Sequence, residues 1–188
     1  MLISEQYREL QRTLHERPGY GVASLLYAPH VAEALERAGA DELLDYGSGK
    51  GRLGPALEKI LGRPLTVHQY DPAIPEFAAA PQPCQFVACI DVLEHIEPEL
   101  LGNVLDDLRR VTAGVGVFTV HCGAAVRILP DGRNAHLTQQ PIQWWGAQLR
   151  ARFDLLQTRP LPEGACFFVA RKSPWWARLL LRIARRKV

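Results

Sequence analysis

Residues Leu43 to Leu53 read LLDYGSGKGRL, and no other stretch constrains the fold of this chain as tightly. Two apolar residues lead into Asp45, after which Gly47, Gly49 and Gly51 alternate with Ser48 and Lys50. The pattern then turns helical through Leu53, Ala56, Leu57 and Ile60. A buried strand that ends in an alternating glycine loop and opens a helix is the nucleotide-cradling corner of a doubly wound α/β fold. Glycines permit the sharp turn and let a ligand approach without meeting a Cβ. The stretch Gly49–Gly54 also satisfies G-x-G-x-x-G, which keeps a nicotinamide cofactor open as a reading.

The flanking segments narrow it. Leu65–Tyr70 reads as the second strand and is followed by Asp71, about twenty residues after the loop, where an acid can hold ribose hydroxyls. A third apolar run, Phe86–Ile90, ends in Asp91-Val-Leu-Glu-His-Ile96. With the glycine loop, Asp71 and this DVLEHI string in order, the chain resembles the class I S-adenosylmethionine-dependent methyltransferases of the small-molecule type. The DVLEHI string argues against the nicotinamide reading.

The resemblance implies S-adenosyl-L-methionine as cofactor, held by Asp45, Tyr46, Gly47, Ser48, Gly49, Asp71, Pro72, Asp91 and Val92. In that scheme Asp45 receives the amino group, directly or through water, and Asp71 takes the ribose. Asp91 and Val92 border the adenine or methionine end. It also places Glu94 and His95 beside the sulfonium, at the mouth of the acceptor pocket. The competing reading makes these acids helix and turn caps. His95 is a candidate general base, since imidazole titrates near neutrality.

The remaining pattern reads as one domain over residues 1–173. A helical cap occupies about residues 1–40, with helices over Leu2–His15 and Ala28–Ala38, the second closed by Gly39. Strand one is Glu42–Tyr46, followed by a helix over Arg52–Leu61. An amphipathic helix spans Pro98–Val111, a buried strand Val115–His121, and a further helix starts at Pro141. Phe153–Thr158 and Cys166–Arg171, joined by residues 160–164, read as a closing antiparallel hairpin. Only Pro72–Gln85 separates the second strand from the third run, and a complete βαβ crossover needs some thirty residues. The usual strand-three unit is therefore expected to be missing. That leaves a Rossmann-like sheet of about six strands in the order 2-1-4-5-7-6, in family numbering.

Pro130-Asp-Gly-Arg-Asn-Ala-His136 follows the Val115–His121 strand on the edge where such folds place their acceptor. Asp131, Arg133 and Asn134 are candidate acceptor contacts, and His136 is a candidate catalytic residue beside Glu94 and His95. The plainer reading is a turn with a salt-bridged Arg133. Trp144 and Trp145 are expected to pack in the core.

Composition excludes much else. At 188 residues and 47% apolar content, one good core is affordable. The four cysteines are scattered, with no C-x-x-C pair and no His/Cys cluster at metal-ligand spacing, so no metal is expected. Of the net charge of +2, residues 174–188 carry five positive charges and no acid, leaving the body acidic overall. The body thus offers no basic face for nucleic acid. Residues 174–188 place Trp176, Leu179, Leu180 and Ile183 on one face of a helical pattern, among arginines. That pattern fits an anionic membrane interface or a second subunit. The expected function is methyl transfer to a small-molecule or envelope-associated acceptor in the cytoplasm, peripheral at the inner face of the membrane. Two alternatives stand beside it: a catalytically silent cofactor-binding protein, and a nucleic-acid methyltransferase recruited by the basic tail.

Overall fold

In a computed structural model, residues 1–17 and 19–172 are described. The 174–188 helix expected from the sequence lies outside them. Five α-helices and six strands appear in the order α1 (Glu5–His15), α2 (Ala23–Ala38), β1 (Glu42–Tyr46), α3 (Leu53–Leu61), β2 (Thr66–Tyr70), β3 (Cys84–Ile90), α4 (Leu101–Val111), β4 (Thr112–His121), α5 (Ile142–Arg152), β5 (Phe153–Leu161) and β6 (Gly164–Arg171). The sheet order is β2-β1-β3-β4-β6-β5, with β1, β2, β3 and β4 parallel and β5–β6 an antiparallel hairpin against β4. This is the expected Rossmann-like methyltransferase sheet without its strand-three unit. Between β2 and β3 the chain forms only one 3-10 turn, Pro75–Phe77, so β2 becomes the sheet edge.

The central strands β1, β3, β4 and β6 are largely buried on both faces because their apolar runs lack polar alternation, whereas the edge strand β2 is half exposed. Leu44, Tyr46, Val87, Cys89, Phe118 and Val120 face α4 and α5, meeting Leu101, Leu105, Leu108, Trp145 and Leu149. Leu43, Phe86, Ala88, Ile90 and Val117 face the other way, against Val31, Leu35, Leu53 and Leu57 of α2 and α3. Trp145 is fully buried in the first layer, and Trp144 packs against it while partly exposed. At such positions truncation to alanine costs about 2–5 kcal/mol for an aliphatic side chain.

Several boundaries differ from the sequence expectation. Helix α2 begins five residues before Ala28 and runs through Pro29, a helix-breaking signal that burial of Ala28, Val31, Ala32 and Leu35 outweighs. Helix α4 starts at Leu101, not Pro98, and passes directly into β4. The hairpin is longer than expected. Pro160 pairs with Ala165 inside it, which is tolerated because β5 is an edge strand. Only Pro162 and Glu163 remain as the turn, carrying Glu163 to the same end of the sheet as the carboxyl ends of the parallel strands.

A third cluster docks the N-terminal cap over that end. Ile3, Tyr7 and Leu14 pack with Ala73, Leu129 and Ala135. Ser4 caps α1 by accepting from the Tyr7 amide at 3.2 Å. Buried Glu97 fixes this cap in turn, accepting from the Ser4 amide at 2.8 Å and the Ser4 hydroxyl at 2.6 Å. No helix among the described residues is long and apolar enough to cross a membrane.

Candidate active site

The carboxyl ends of β1, β2, β3 and β4 open into a cavity of about 930 Å³, roofed by the N-terminal cap. Open α/β sheets bind ligands in this crevice. Of the residues expected from the sequence, Asp45, Tyr46, Gly47, Ser48, Gly49, Asp71, Pro72, Asp91, Val92, His95 and His136 line it.

The floor at one end is the glycine loop. The amides of Gly47 and Ser48 both donate to the Tyr70 carbonyl, at 2.7 and 3.0 Å, tying the loop to the end of β2. Gly47 and Gly49 adopt φ of 79° and 51°, which disfavours any side chain there. A Cβ on Gly47 would lie 2.5 Å from Val92, and one on Gly49 would lie 2.8 Å from the His15 ring. Asp71 clamps the loop from the next strand. One carboxylate oxygen accepts from the Gly49 amide at 2.9 Å, and the other accepts from the Ala73 amide at 2.9 Å. A carboxylate has about four acceptor positions, so Asp71 keeps capacity toward the cavity.

Asp45 is nearly buried, and its Oδ2 has no hydrogen-bond partner. Burial, then the neighbouring Asp71 carboxylate, pushes its pKa up to about 7. Ser48 Oγ and His15 Nδ1 are also buried and unpartnered. Buried polar atoms left without partners are costly, and three of them gather around one ligand-sized cavity. The Tyr46 hydroxyl is engaged elsewhere, donating to Asp107 at 2.9 Å, so Tyr46 offers the cavity only its ring and backbone.

The other end is built around β3 and β4. Asp91 holds φ 58°, unusual for a non-glycine residue, and its amide donates to Thr119 Oγ1 at 2.9 Å. Such strain collects at functional sites. His95 sits in the short 3-10 turn Leu93–His95. Its Nδ1 meets the Ala135 carbonyl at 2.8 Å. A carbonyl only accepts, so Nδ1 carries the proton and Nε2 keeps its lone pair. Asp91 Oδ2 lies 4.0 Å from that Nε2. Burial lowers the His95 pKa, with Asp91 opposing it and His136 adding to it. The ring is therefore neutral at pH 7.

His136 stacks edge-on to His95, with centroids 4.9 Å apart, and His121 lies 4.6 Å beyond it. His136 Nδ1 meets the Gly123 carbonyl at 2.8 Å, which assigns its proton by the same argument. His121 Nε2 pairs with Glu163 at 2.8 Å. His121 and Glu163 line the cavity, and the sequence reading missed both. The available signal was a histidine ending a buried strand, but its partner comes from a turn 42 residues away. His15, Tyr7, Gln11 and Tyr20 of the cap were missed too. They line the roof, where Tyr20 donates to Gln11 at 2.9 Å and Gln11 to Tyr7 at 2.6 Å. Among the described residues, no group of three or more His, Cys, Asp or Glu side chains is arranged to hold a metal ion.

Four expected site residues do not reach the cavity. Glu94 is fully buried behind its wall, accepting from the His121 amide. Burial and then Asp91 push its pKa well above its ordinary value, and its bond from His121 holds β4 against the 3-10 turn. Asp131 and Arg133 pair with each other at 2.7 Å. Asn134 bridges the loop, accepting from the Ala125 amide at 2.9 Å and donating to the Ala125 carbonyl at 2.8 Å. These three build a small hairpin whose opposite limb, residues 124–128, forms the cavity wall.

No family model and no curated protein sequence matches this chain. Solved structures do. The 1,6-didemethyltoxoflavin-N1-methyltransferase of Burkholderia thailandensis, crystallised with 1,6-didemethyltoxoflavin and S-adenosylhomocysteine, superposes with a TM-score of 0.64 at 17% identity, over 93% of this chain and 92% of that one. The mitomycin 7-O-methyltransferase MmcR gives 0.65 at 15% identity, over 87% of this chain and 61% of that longer one. The magnesium protoporphyrin IX methyltransferase of Synechocystis PCC 6803, also with S-adenosylhomocysteine, gives 0.55 at 12%, over 89% and 95%. The chain shares the fold of these small-molecule methyltransferases.

Proposed function

We propose that this protein is an S-adenosylmethionine-dependent methyltransferase acting on a small-molecule acceptor. The observation that carries the reading is one continuous cavity with unpartnered Asp45 Oδ2 and Ser48 Oγ at its glycine-loop end and the His95 imidazole at its other. The residues suit the cofactor. Asp45 and Ser48 would hold its ammonium and carboxylate end, and the free acceptor positions of Asp71 would hold the ribose hydroxyls. Gly47 and Gly49 leave the approach clear of side chains. When bound, the cofactor supplies a methyl group already activated on a sulfonium, leaving the protein to align the acceptor and manage its proton.

His95 takes that proton at Nε2. The Ala135 carbonyl fixes the tautomer, and Asp91 at 4.0 Å stabilises the imidazolium that forms. His136 packs against the same ring and holds it from behind. The N-terminal cap excludes water from above through Ile3, Tyr7 and Tyr20. The first test is calorimetric titration of the full-length protein with S-adenosylhomocysteine. Micromolar binding with one site per chain is expected, and absence of binding by a folded protein would remove the cofactor from this reading.

A further inference from the structure

Resting on the methyl-transfer reading, we infer that Arg127 is an acceptor-recognition residue that selects an apolar, ring-bearing acceptor carrying a carboxylate. Arg127 supplies the only Lys or Arg side chain on the cavity wall among the described residues. Its guanidinium carbon sits 5.4 Å from the centroid of the Tyr20 ring. Stacking of this kind uses the face of the guanidinium and leaves its edge donors for a planar, bidentate partner.

The pairing of polar groups around the cavity singles it out. At the acceptor end, each carboxylate already has a histidine neighbour: Asp91 faces His95 at 4.0 Å, and Glu163 bonds His121 at 2.8 Å. The other arginine of the 124–136 loop, Arg133, is neutralised by Asp131 at 2.7 Å. Among the described residues, no ion pair engages Arg127. Its position is nonetheless firmly built. The Ala135 amide donates to the Arg127 carbonyl at 3.0 Å, and Asn134 ties the neighbouring Ala125 through both amide atoms. An unpaired guanidinium on a fixed loop is preorganised to receive an anion without paying to order itself.

The rest of that wall decides what the anion is attached to. Ile3, Tyr7, Tyr20, Val126 and Ile128 offer apolar and ring surface. Val126 and Ile128 are exposed at its edge. A carboxylate on an otherwise apolar, aromatic molecule satisfies both the guanidinium and this surface.

The test uses full-length protein saturated with S-adenosylhomocysteine and ligand-observed NMR titration of two matched pairs. These are 4-hydroxybenzoate with 4-hydroxybenzamide, and 6-hydroxy-2-naphthoate with its amide. The acids are expected to bind at least tenfold more tightly than the amides. Arg127→Gln should erase the difference, and Arg127→Lys should keep part of it, with thermal midpoints and S-adenosylhomocysteine affinity unchanged in both. Four outcomes overturn the proposal: no binding by either acid, equal binding of acids and amides, a preference that survives Arg127→Gln, or a matching loss of S-adenosylhomocysteine affinity in that variant. The last would give the guanidinium to the cofactor instead. Failure of the parent to bind S-adenosylhomocysteine is a separate result that removes the methyl-transfer reading, and the acid preference is then measured without it.

Discussion

The two ends of the cavity are built by different means. At the glycine-loop end, backbone does the work. Amides of Gly47, Ser48 and Gly49 are spent on Tyr70 and Asp71, and left-handed glycines clear the approach. At the acceptor end, side chains gather from β3, β4, the 124–136 loop, the hairpin turn and the N-terminal cap. The first end depends on a local geometry that few sequences can adopt. The second depends on long-range packing that many sequences can achieve. Mutations at the first should therefore act on ligand affinity, and mutations at the second on turnover and selectivity.

The sharpest break in that comparison is Gly49→Val. A β-branched residue at φ 51° that also meets the His15 ring at 2.8 Å is expected to abolish S-adenosylhomocysteine binding in calorimetry, with the fold retained by circular dichroism. Parent-like affinity in that variant would erase the distinction. Next comes His95→Ala. Loss of a positioned general base costs typically 10²–10⁴-fold in rate. Once an acceptor is identified, kcat should fall by about that much with cofactor affinity near normal. A His95→Ala enzyme at parental speed would leave the histidine only a structural part.

Asp71→Ala sits between the two ends, because it removes both a loop clamp and the proposed acceptor for the ribose. Charge-assisted hydrogen bonds contribute about 1.5–3 kcal/mol, so affinity should fall roughly ten- to hundredfold, with a lower thermal midpoint. An affinity unchanged beside a lowered midpoint would confine Asp71 to the clamp. Asp45 adds a pH dependence. Its folded pKa, near 7, lies above its ordinary value of 3.8. The ligand-free protein thus binds the extra proton below pH 7, and loses stability as pH rises from about 4 through 7. A cationic ammonium requires the ionised form. S-adenosylhomocysteine affinity is therefore expected to weaken by up to about tenfold per pH unit below 7, with proton release seen in buffers of different ionisation enthalpy. Asp45→Asn should flatten that profile.

The smallest effect concerns residues 174–188. Their arginines contribute about 1 kcal/mol each near an anionic surface, so full-length protein should co-sediment with phosphatidylserine vesicles, less so as salt rises. Protein ending at Lys172 should not, while binding S-adenosylhomocysteine normally. Equal partitioning of the two would separate this segment from any membrane role.

Legibility in the sequence follows the same division. The strand ends at Tyr46, Tyr70 and Ile90, the glycine loop and the shortened 72–83 connection were readable because each is a local pattern with a narrow set of conformations. The sheet order came from the family resemblance, with the short crossover removing its third strand. The sequence places the start of α2 at Ala28; its actual start at Ala23 follows Val22, which provides no side-chain cap to mark it. Of the Pro130–His136 stretch that the sequence marks, His136 reaches the cavity, whereas Asp131, Arg133 and Asn134 are engaged within the loop. Asp131, Arg133 and Asn134 are conspicuous by type, whereas Arg127 and His121 acquire their place only when Tyr20 and Glu163 arrive from distant segments. Glu94 looked like a site residue by its neighbours, but a carboxyl turned inward cannot be told from one turned outward by spacing alone.

The shortened connection after β2 carries a kinetic consequence. With only the 3-10 turn at Pro75–Phe77 beside Asp71, the adenosine side of a bound cofactor is flanked by a short loop where a full helix–strand–helix unit would otherwise stand. Differences in affinity between related complexes fall mostly on the rate of departure. A spent cofactor flanked this way is expected to leave quickly. In many enzymes product release sets the rate. On the methyl-transfer reading, the transfer step is then expected to set the pace, and rapid mixing should show a linear time course with no initial burst.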